Sequence, residues 1–260
     1  MWLLIKQMRV IKKMKIAEKI EMLEVPIKLM GVEGTIYPTV IWDNEHVVLV
    51  DAGISDSLPL IKEAMSEADV PFDRIDTIIV THQDIDHICG INSVVDELND
   101  VIVLAHADDK PYIQGEKQIL RLETSNIRER VKMLPHDEQI KVLDMFENTI
   151  VKVDEDLTNG EELDYAGGIM IIHTPGHTPG HICIYHEESR TLIVGDALNI
   201  EGDELVITHR EAMSKKELEI IKIWLEKLSE LNIENVIAYH AGLFNDKPNQ
   251  KIRELLNSIQ

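Results

Sequence analysis

Cysteine is scarce in this chain. Cys89 and Cys183 are the two present in 260 residues, and neither belongs to a Cys-x-x-Cys pair. Two thiols build no disulfide framework. Cys89 stands two residues after a histidine-rich loop and reads as a small buried residue packing the helix that follows, with a redox-sensitive thiol as the other reading. Long apolar runs are missing too. None approaches the roughly 20 residues that span a bilayer, so stable membrane insertion by a helix is not expected. Basic residues are outnumbered, 26 Lys and Arg against 47 Asp and Glu, for a formal charge of −21. Nucleic acids are gripped by clustered cations that release counterions, so no nucleic-acid partner is expected. There is no tandem repeat, no low-complexity linker and no Gly-x-Ser-x-Gly nucleophile elbow. The N-terminus lacks a secretory pattern. Trp2 to Ile5 are apolar and precede Lys6, Arg9, Lys12, Lys13 and Lys15, the reverse of a signal peptide. Residues 1–13 are expected to be an N-terminal extension, a membrane-surface helix being the other reading. A cytoplasmic protein with one domain over residues 14–260 follows, and self-association is compatible with this composition.

Hydrophobic residues make up 44% of the chain, enough for a full core at 29.6 kDa. Patterning predicts strands at 21–28, 35–41, 47–50, 75–80 and 101–105, then at Ile150, Ile169, Ile182, Thr191 and 236–239. It predicts helices at 58–68 and 88–98, a long one from Ser214 to Leu231, and a closing one at 249–259, with Ser57 and Ser214 as caps. The stretch at about 108–148 is polar and helical. It carries Tyr112, Ile113, Leu120, Leu122, Met133, Leu134, Met145 and Phe146, and reads as an insertion or lid.

Four of the apolar strands run into His or Asp with Gly close by. Ile75 to Val80 leads into Thr81-His-Gln-Asp-Ile-Asp-His87, which holds His82, Asp84, Asp86 and His87. Ile169 to Ile172 leads into His173-Thr-Pro-Gly-His177-Thr-Pro-Gly-His181. Thr191 to Val194 leads into Gly195-Asp196, and Asn235 to Ala238 into Tyr239-His240-Ala-Gly242. Imidazoles and carboxylates converging at the rigid ends of strands suit a metal site. In combination these motifs resemble the metallo-β-lactamase superfamily, from about Gly34 to Gly242. The resemblance implies an α/β fold, an αβ/βα four-layer sandwich of two mixed β-sheets with helices outside.

The resemblance also implies a ligand set. His82, Asp84 and His177 would hold one metal, Asp86, His87 and His240 a second, and Asp196 would bridge them. Asp51 would orient a ligand imidazole, and His181 would hold the turn around His177. The cofactor implied is two divalent transition metal ions, with zinc first. The superfamily usually has His where this chain has Asp84, and a carboxylate there suits iron or manganese better than imidazole does. The implied chemistry is a metal-dependent hydrolase whose metal-bridged hydroxide, aided by Asp86 and Asp196, cleaves a small ester, lactone, thioester or phosphoester. The alternatives are a mononuclear iron-dependent oxidoreductase similar to a persulfide dioxygenase, and a non-catalytic metal-binding module. Within the superfamily, lactonases place a Tyr where Asn199 stands. Tyr112, in the lid, is the residue expected to supply that missing proton. About 20 residues follow His240, too few for the glutathione-recognising helical domain of a glyoxalase II. No flavodoxin domain or basic RNA-binding arm is visible. The expected partner is a small-molecule substrate.

Overall fold

The computed structural model of the protein describes residues 15–121, 127–147 and 149–259. The expected extension at 1–13 lies outside them, as does Leu122 of the expected lid. The chain opens with β1 (Lys15–Ala17), β2 (Ile20–Met22), the hairpin β3 (Val25–Leu29) and β4 (Val32–Ile36), β5 (Thr39–Trp42) and β6 (Val47–Val50). Then come β7 (Thr77–Val80), β8 (Ile102–His106) and β9 (Glu155–Leu157). All but the hairpin form one sheet in the order β1-β2-β5-β6-β7-β8-β9, parallel from β6 onward. The second sheet takes β10 (Glu162–Leu163), β11 (Ile169–His173), β12 (Ile182–His186) and β13 (Thr191–Ile193). A hairpin of β14 (Leu198–Glu201) and β15 (Glu204–Ile207) intervenes, and β16 (Asn235–Ala238) and β17 (Gly242–Phe244) complete the sheet in the order β10-β11-β12-β13-β16-β17.

The helices are α1 (Leu58–Glu67), α2 (Ile85–Ile88), α3 (Ile91–Leu98), α4 (Lys110–Ile113), α5 (Ile127–Lys132), α6 (His136–Glu147), α7 (Lys215–Glu230) and α8 (Pro248–Ser258). Side-chain alternation decides where each layer lies. Val48 and Val50 of β6, with Ile79 of β7, point between the sheets and meet Ile184, Ile193 and Ile237 of the second. Val47, Leu49 and Ile78 point the other way, onto Ile61 and Met65 of α1 and Ile91 and Val94 of α3. On the far side, Leu192 and Val236 meet Ile221, Trp224, Leu225 and Leu228 of α7 and Ile252 of α8. The result is the expected four-layer sandwich. Each fully buried aliphatic contributes about 1.5–3 kcal/mol, so these three clusters dominate the stability.

Local chemistry explains the element ends. Ser214 caps α7 with a capping box, its Oγ accepting from Glu217 N while Glu217 Oε2 accepts from Ser214 N at 2.7 Å. Ser57 makes no such cap on α1. Its Oγ accepts from Ile54 N at 3.0 Å instead, closing the turn before the helix. The strand expected at 21–28 divides in two, because Leu23 N bonds Pro38 O and the chain crosses from the sheet into the hairpin. The helix expected at 88–98 is likewise two. Gly90 N donates to Gly53 O at 2.9 Å, outside any helical ladder. No strand starts at Ile150, which is exposed. Val151 N bonds Ile113 O and Val153 N bonds the Gln114 side chain, so ladder pairing waits until Glu155. The hairpin β14–β15 and strand β17 are additions to the expected pattern.

The expected insertion has two parts. Val142 and Met145 of α6 are buried, with Met30 of the β3–β4 hairpin against Val142, and Lys28 pairs with Glu138 at 2.7 Å. A cavity of about 420 Å³ lies there, lined by Pro26, Met30, Ser57, Leu60, Val142 and Met145. The other part, from His106 to Arg121, borders the ends of β7 and β11.

Candidate metal centre

Adjacent parallel strands deliver their C-terminal ends to one edge of each sheet. Asp51 follows β6, His82 follows β7, Asp196 follows β13 and His240 follows β16. The turn between β11 and β12 adds His177. Strand ends are therefore what bring together residues scattered over more than half of the chain.

Two of the three groups of ligand-type atoms among the described residues result, the third being His106, Asp108 and His173. His82, Asp84, His177 and Asp196 form one, and Asp86, His87 and His240 the other. Asp196 faces both groups. Its Oδ2 lies 4.0 Å from His82 Nε2 and 3.5 Å from His177 Nε2. Its Oδ1 lies 3.4 Å from His87 Nε2 and 3.3 Å from His240 Nε2. Asp84 Oδ2 is 3.0 Å from His177 Nε2 and 3.6 Å from His82 Nε2, and Asp86 Oδ2 is 3.4 Å from His240 Nε2. All seven expected ligand residues therefore stand in these two groups.

Burial sharpens the picture. His82 Nε2, Asp84 Oδ1, His87 Nε2 and Asp196 Oδ1 are buried and have no hydrogen-bond partner among the described residues. Orphaned buried polar atoms are costly, and four of them aimed into one space fit divalent cations. Burial works to raise the pKa of Asp84, but bonds and charges from His177 and His82 outweigh it and hold the carboxyl well below its usual range. Burial likewise works against a charged His87, yet the neighbouring Asp51 and Asp196 carboxylates push its pKa well above the ordinary value. His177 goes the other way, lowered mainly by burial.

The supports around the ligands are equally specific. Asp51 Oδ2 meets His87 Nδ1 at 2.8 Å, while Thr81 N and Oγ1 hold the same carboxylate at 2.9 and 2.7 Å. Asp51 thus fixes the ring so that Nε2 faces inward. His181 lies fully buried, with Nε2 accepting from Asp196 N at 3.1 Å and Nδ1 bonded to Thr174 Oγ1 at 2.8 Å. Burial and the His82 and His177 rings hold it neutral, its pKa well below normal. Gly195 has φ +47°, and a Cβ there would lie 2.8 Å from His181 Nε2, so the turn into Asp196 has no room for a side chain. Tyr239 stacks on His87 at 3.8 Å and donates its hydroxyl to Asp86 O at 2.7 Å.

Two further residues escaped the sequence reading. Asp109, 1% exposed, accepts from Gln83 N (3.0 Å), Gln83 Nε2 (3.1 Å), Thr178 Oγ1 (2.7 Å) and Gly180 N (2.7 Å). It joins the loop of His82 and Asp84 to the turn of His177. Arg121 places Nε 2.8 Å from Asp84 Oδ2 and Nη2 3.0 and 3.2 Å from the His177 ring nitrogens. Neither carries a motif of its own. Tyr112 lies on α4 with Lys117 Nζ 5.1 Å from its ring centre, and among the described residues no hydrogen bond joins its hydroxyl to the ligands. Of the remaining histidines, His186 is buried between Ser189 and Ala166 O, while His106 stacks on His173 at 3.9 Å.

Comparison with known proteins identifies the family. The family model for the metallo-beta-lactamase superfamily matches residues 31–240. "Probable metallo-hydrolase YflN" of Bacillus subtilis is 28% identical, the match covering 61% of this chain and 58% of that protein, less than two thirds of its length. The "Metallo-beta-lactamase fold-containing protein ST1585" of Sulfurisphaera tokodaii is also 28% identical, over 82% of this chain and 75% of its own. Among solved structures, the metallo-beta-lactamase family protein TTHA1429 of Thermus thermophilus superposes with a TM-score of 0.69 at 23% identity, covering 94% of this chain and 80% of that one. Among the described residues, no helix is long and apolar enough to cross a membrane. With strand ends, ligand groups and family model in agreement, the chain belongs to the metallo-beta-lactamase superfamily.

Proposed function

We propose that this protein is a metal-dependent hydrolase of a small ester, lactone, thioester or phosphoester, working with two divalent ions. The observation that carries the reading is the Asp196 carboxylate, whose two oxygens face the two ligand groups separately. Such a carboxylate suits a bridge between paired ions. When bound, the ions would activate a water as nucleophile and polarise the scissile carbonyl or phosphoryl oxygen. Zinc fits the imidazoles, and the carboxylate at Asp84 brings iron or manganese into range. The metallo-hydrolase names carried by relatives support hydrolysis as the reaction class.

The chain's own residues supply orientation. Asp51 and Thr81 hold His87, His181 holds the Asp196 backbone, and Tyr239 holds the backbone at Asp86. Asp86, 19% exposed, is the ligand carboxylate most open to solvent, which supports a part for it in catalysis beside Asp196. Tyr112 is proposed as donor to the leaving group on sequence grounds. A fall of roughly tenfold in kcat for Tyr112→Phe, at unchanged metal content, supports that role, whereas wild-type kcat and KM assign its ring to packing with Lys117.

The reading as a whole is tested by metal analysis of protein purified without chelator, followed by turnover on 4-nitrophenyl esters, a lactone, a thioester and a phosphodiester. Between one and two transition-metal ions per chain and chelator-sensitive hydrolysis are expected. Oxygen consumption with a single iron would favour the oxidoreductase alternative, and no turnover on any substrate would leave a metal-binding module.

A further inference from the structure

Gln83 separates two ligands, His82 and Asp84, yet its own side chain points away from them. It is fully buried. Its Nε2 donates to Asp109 Oδ1 at 3.1 Å, which fixes the amide, and its Oε1 accepts from Leu120 N at 2.9 Å. The next residue is Arg121. The residue that spaces the ligands therefore also anchors the backbone that brings a guanidinium to them.

A half-exposed ion pair contributes little stability and does not explain this arrangement. Arg121 is 43% exposed, whereas its partners Asp84 and His177 are 5% and 6% exposed. It is the solvent-facing partner of the first ligand group. On a chain whose formal charge is −21, a guanidinium on the solvent side of the first ligand group is a local exception. Ions held by Asp84 and His177 would compete with the guanidinium for those two partners, and its planar fork of donors would then turn toward an anion. Carboxylate and phosphate oxygens match that fork, and a neutral acyl chain does not.

We infer that Arg121 is a substrate-binding residue that takes an anionic group, carboxylate or phosphate, beside the first ligand group. The substrates are then acidic esters or thioesters in preference to neutral ones. The inference rests on the hydrolase reading above and adds the chemical class of substrate.

The test compares zinc-loaded wild type, Arg121→Met and Arg121→Lys. Each is assayed on neutral 4-nitrophenyl acetate and on mono-4-nitrophenyl glutarate, which carries a free carboxylate. Each is also titrated calorimetrically with glutarate and with inorganic phosphate. Arg121→Met should lower kcat/KM on the glutarate ester by about tenfold or more, mostly through KM, and by a clearly smaller factor on the acetate. Glutarate or phosphate binding should weaken by a similar factor, and whichever weakens more names the group. Arg121→Lys should recover part of both. An equal loss on the two esters, or anion binding unchanged in Arg121→Met, overturns the inference. So does zinc binding that tightens about tenfold with anion binding unchanged, since Arg121 would then be an internal competitor for the ligands. If wild type hydrolyses neither ester, the hydrolase reading is decided by the wider substrate set above, and the anion titrations by themselves decide the role of Arg121.

Discussion

Asp109 and Gly180 are in contact across 71 positions of chain, Gly180 N donating to Asp109 Oδ1 at 2.7 Å. A Cβ on Gly180 would lie 2.4 Å from the Asp109 backbone nitrogen, so only glycine allows the approach. The same carboxylate holds Gln83 and Thr178, and through them both arms of the first ligand group. Replacing Asp109 by Ala leaves four donors without their acceptor in a buried place. A loss of roughly 3 kcal/mol or more is expected, visible as a lower denaturant midpoint. Asp109→Asn keeps one acceptor oxygen and should fold, but with metal bound less tightly by His82, Asp84 and His177 than in wild type. An unchanged midpoint for Asp109→Ala would remove Asp109 from the scaffold of the site.

Asp196→Ala deletes the group that faces both ligand sets. Metal content should fall to one ion per chain or fewer, and hydrolysis by about a hundredfold or more. Elemental analysis beside a turnover assay checks this, and full occupancy with full activity would sink the dinuclear reading.

Asp84→His exchanges a hard oxygen for an imidazole and removes the partner of Arg121 Nε. Zinc should bind the first group about tenfold more tightly than in wild type, and the relative preference for iron or manganese should shrink. Competition against a chromophoric chelator, metal by metal, measures it. Identical profiles before and after would mean that Asp84 ligates nothing.

Cys183 is fully buried, and burial pushes its thiol from 9.0 up to about 12. The unfolded chain sheds that proton near pH 9, while the native state keeps it. The native thiol's contribution is therefore intact below about pH 9 and is lost as pH rises toward 12. Cys183→Ala should flatten the decline of stability between about pH 9 and 11, followed by denaturant titration at each pH. Parallel curves for variant and wild type would exclude the thiol as a source of alkaline sensitivity.

Much of this was legible in one dimension. Four apolar strands ending in His or Asp show where rigid elements aim their side chains, and strand β6 matches its expected bounds, Val47–Val50. Ser214 announces α7 because a capping box is local. Asp51 could be foreseen through the superfamily resemblance, which its place at a strand end fits. Asp109 and Arg121 could not. Each acts on residues dozens of positions away, and no spacing rule marks such partners. The hairpin β14–β15 escaped because Leu198 to Ile207 is short and mixes Glu and Asp with its aliphatics. Ser57 misled because a serine before a helix signals a cap whether or not its hydroxyl turns toward the helix.

Both ligand groups draw on the two sheets at once. His82, Asp84, Asp86 and His87 follow a strand of the first, and His177, Asp196 and His240 follow strands of the second. Bound ions would therefore add a cross-link between two layers already joined by interdigitated aliphatics and by hydrogen bonds such as that of Ile182 N to Thr81 O. An ion that binds the native state alone stabilises it by about 2.7 kcal/mol at a hundred times its dissociation constant. The melting temperature then becomes a gauge of free metal, rising with its logarithm. Resistance of the native chain to proteases would follow the same logarithm.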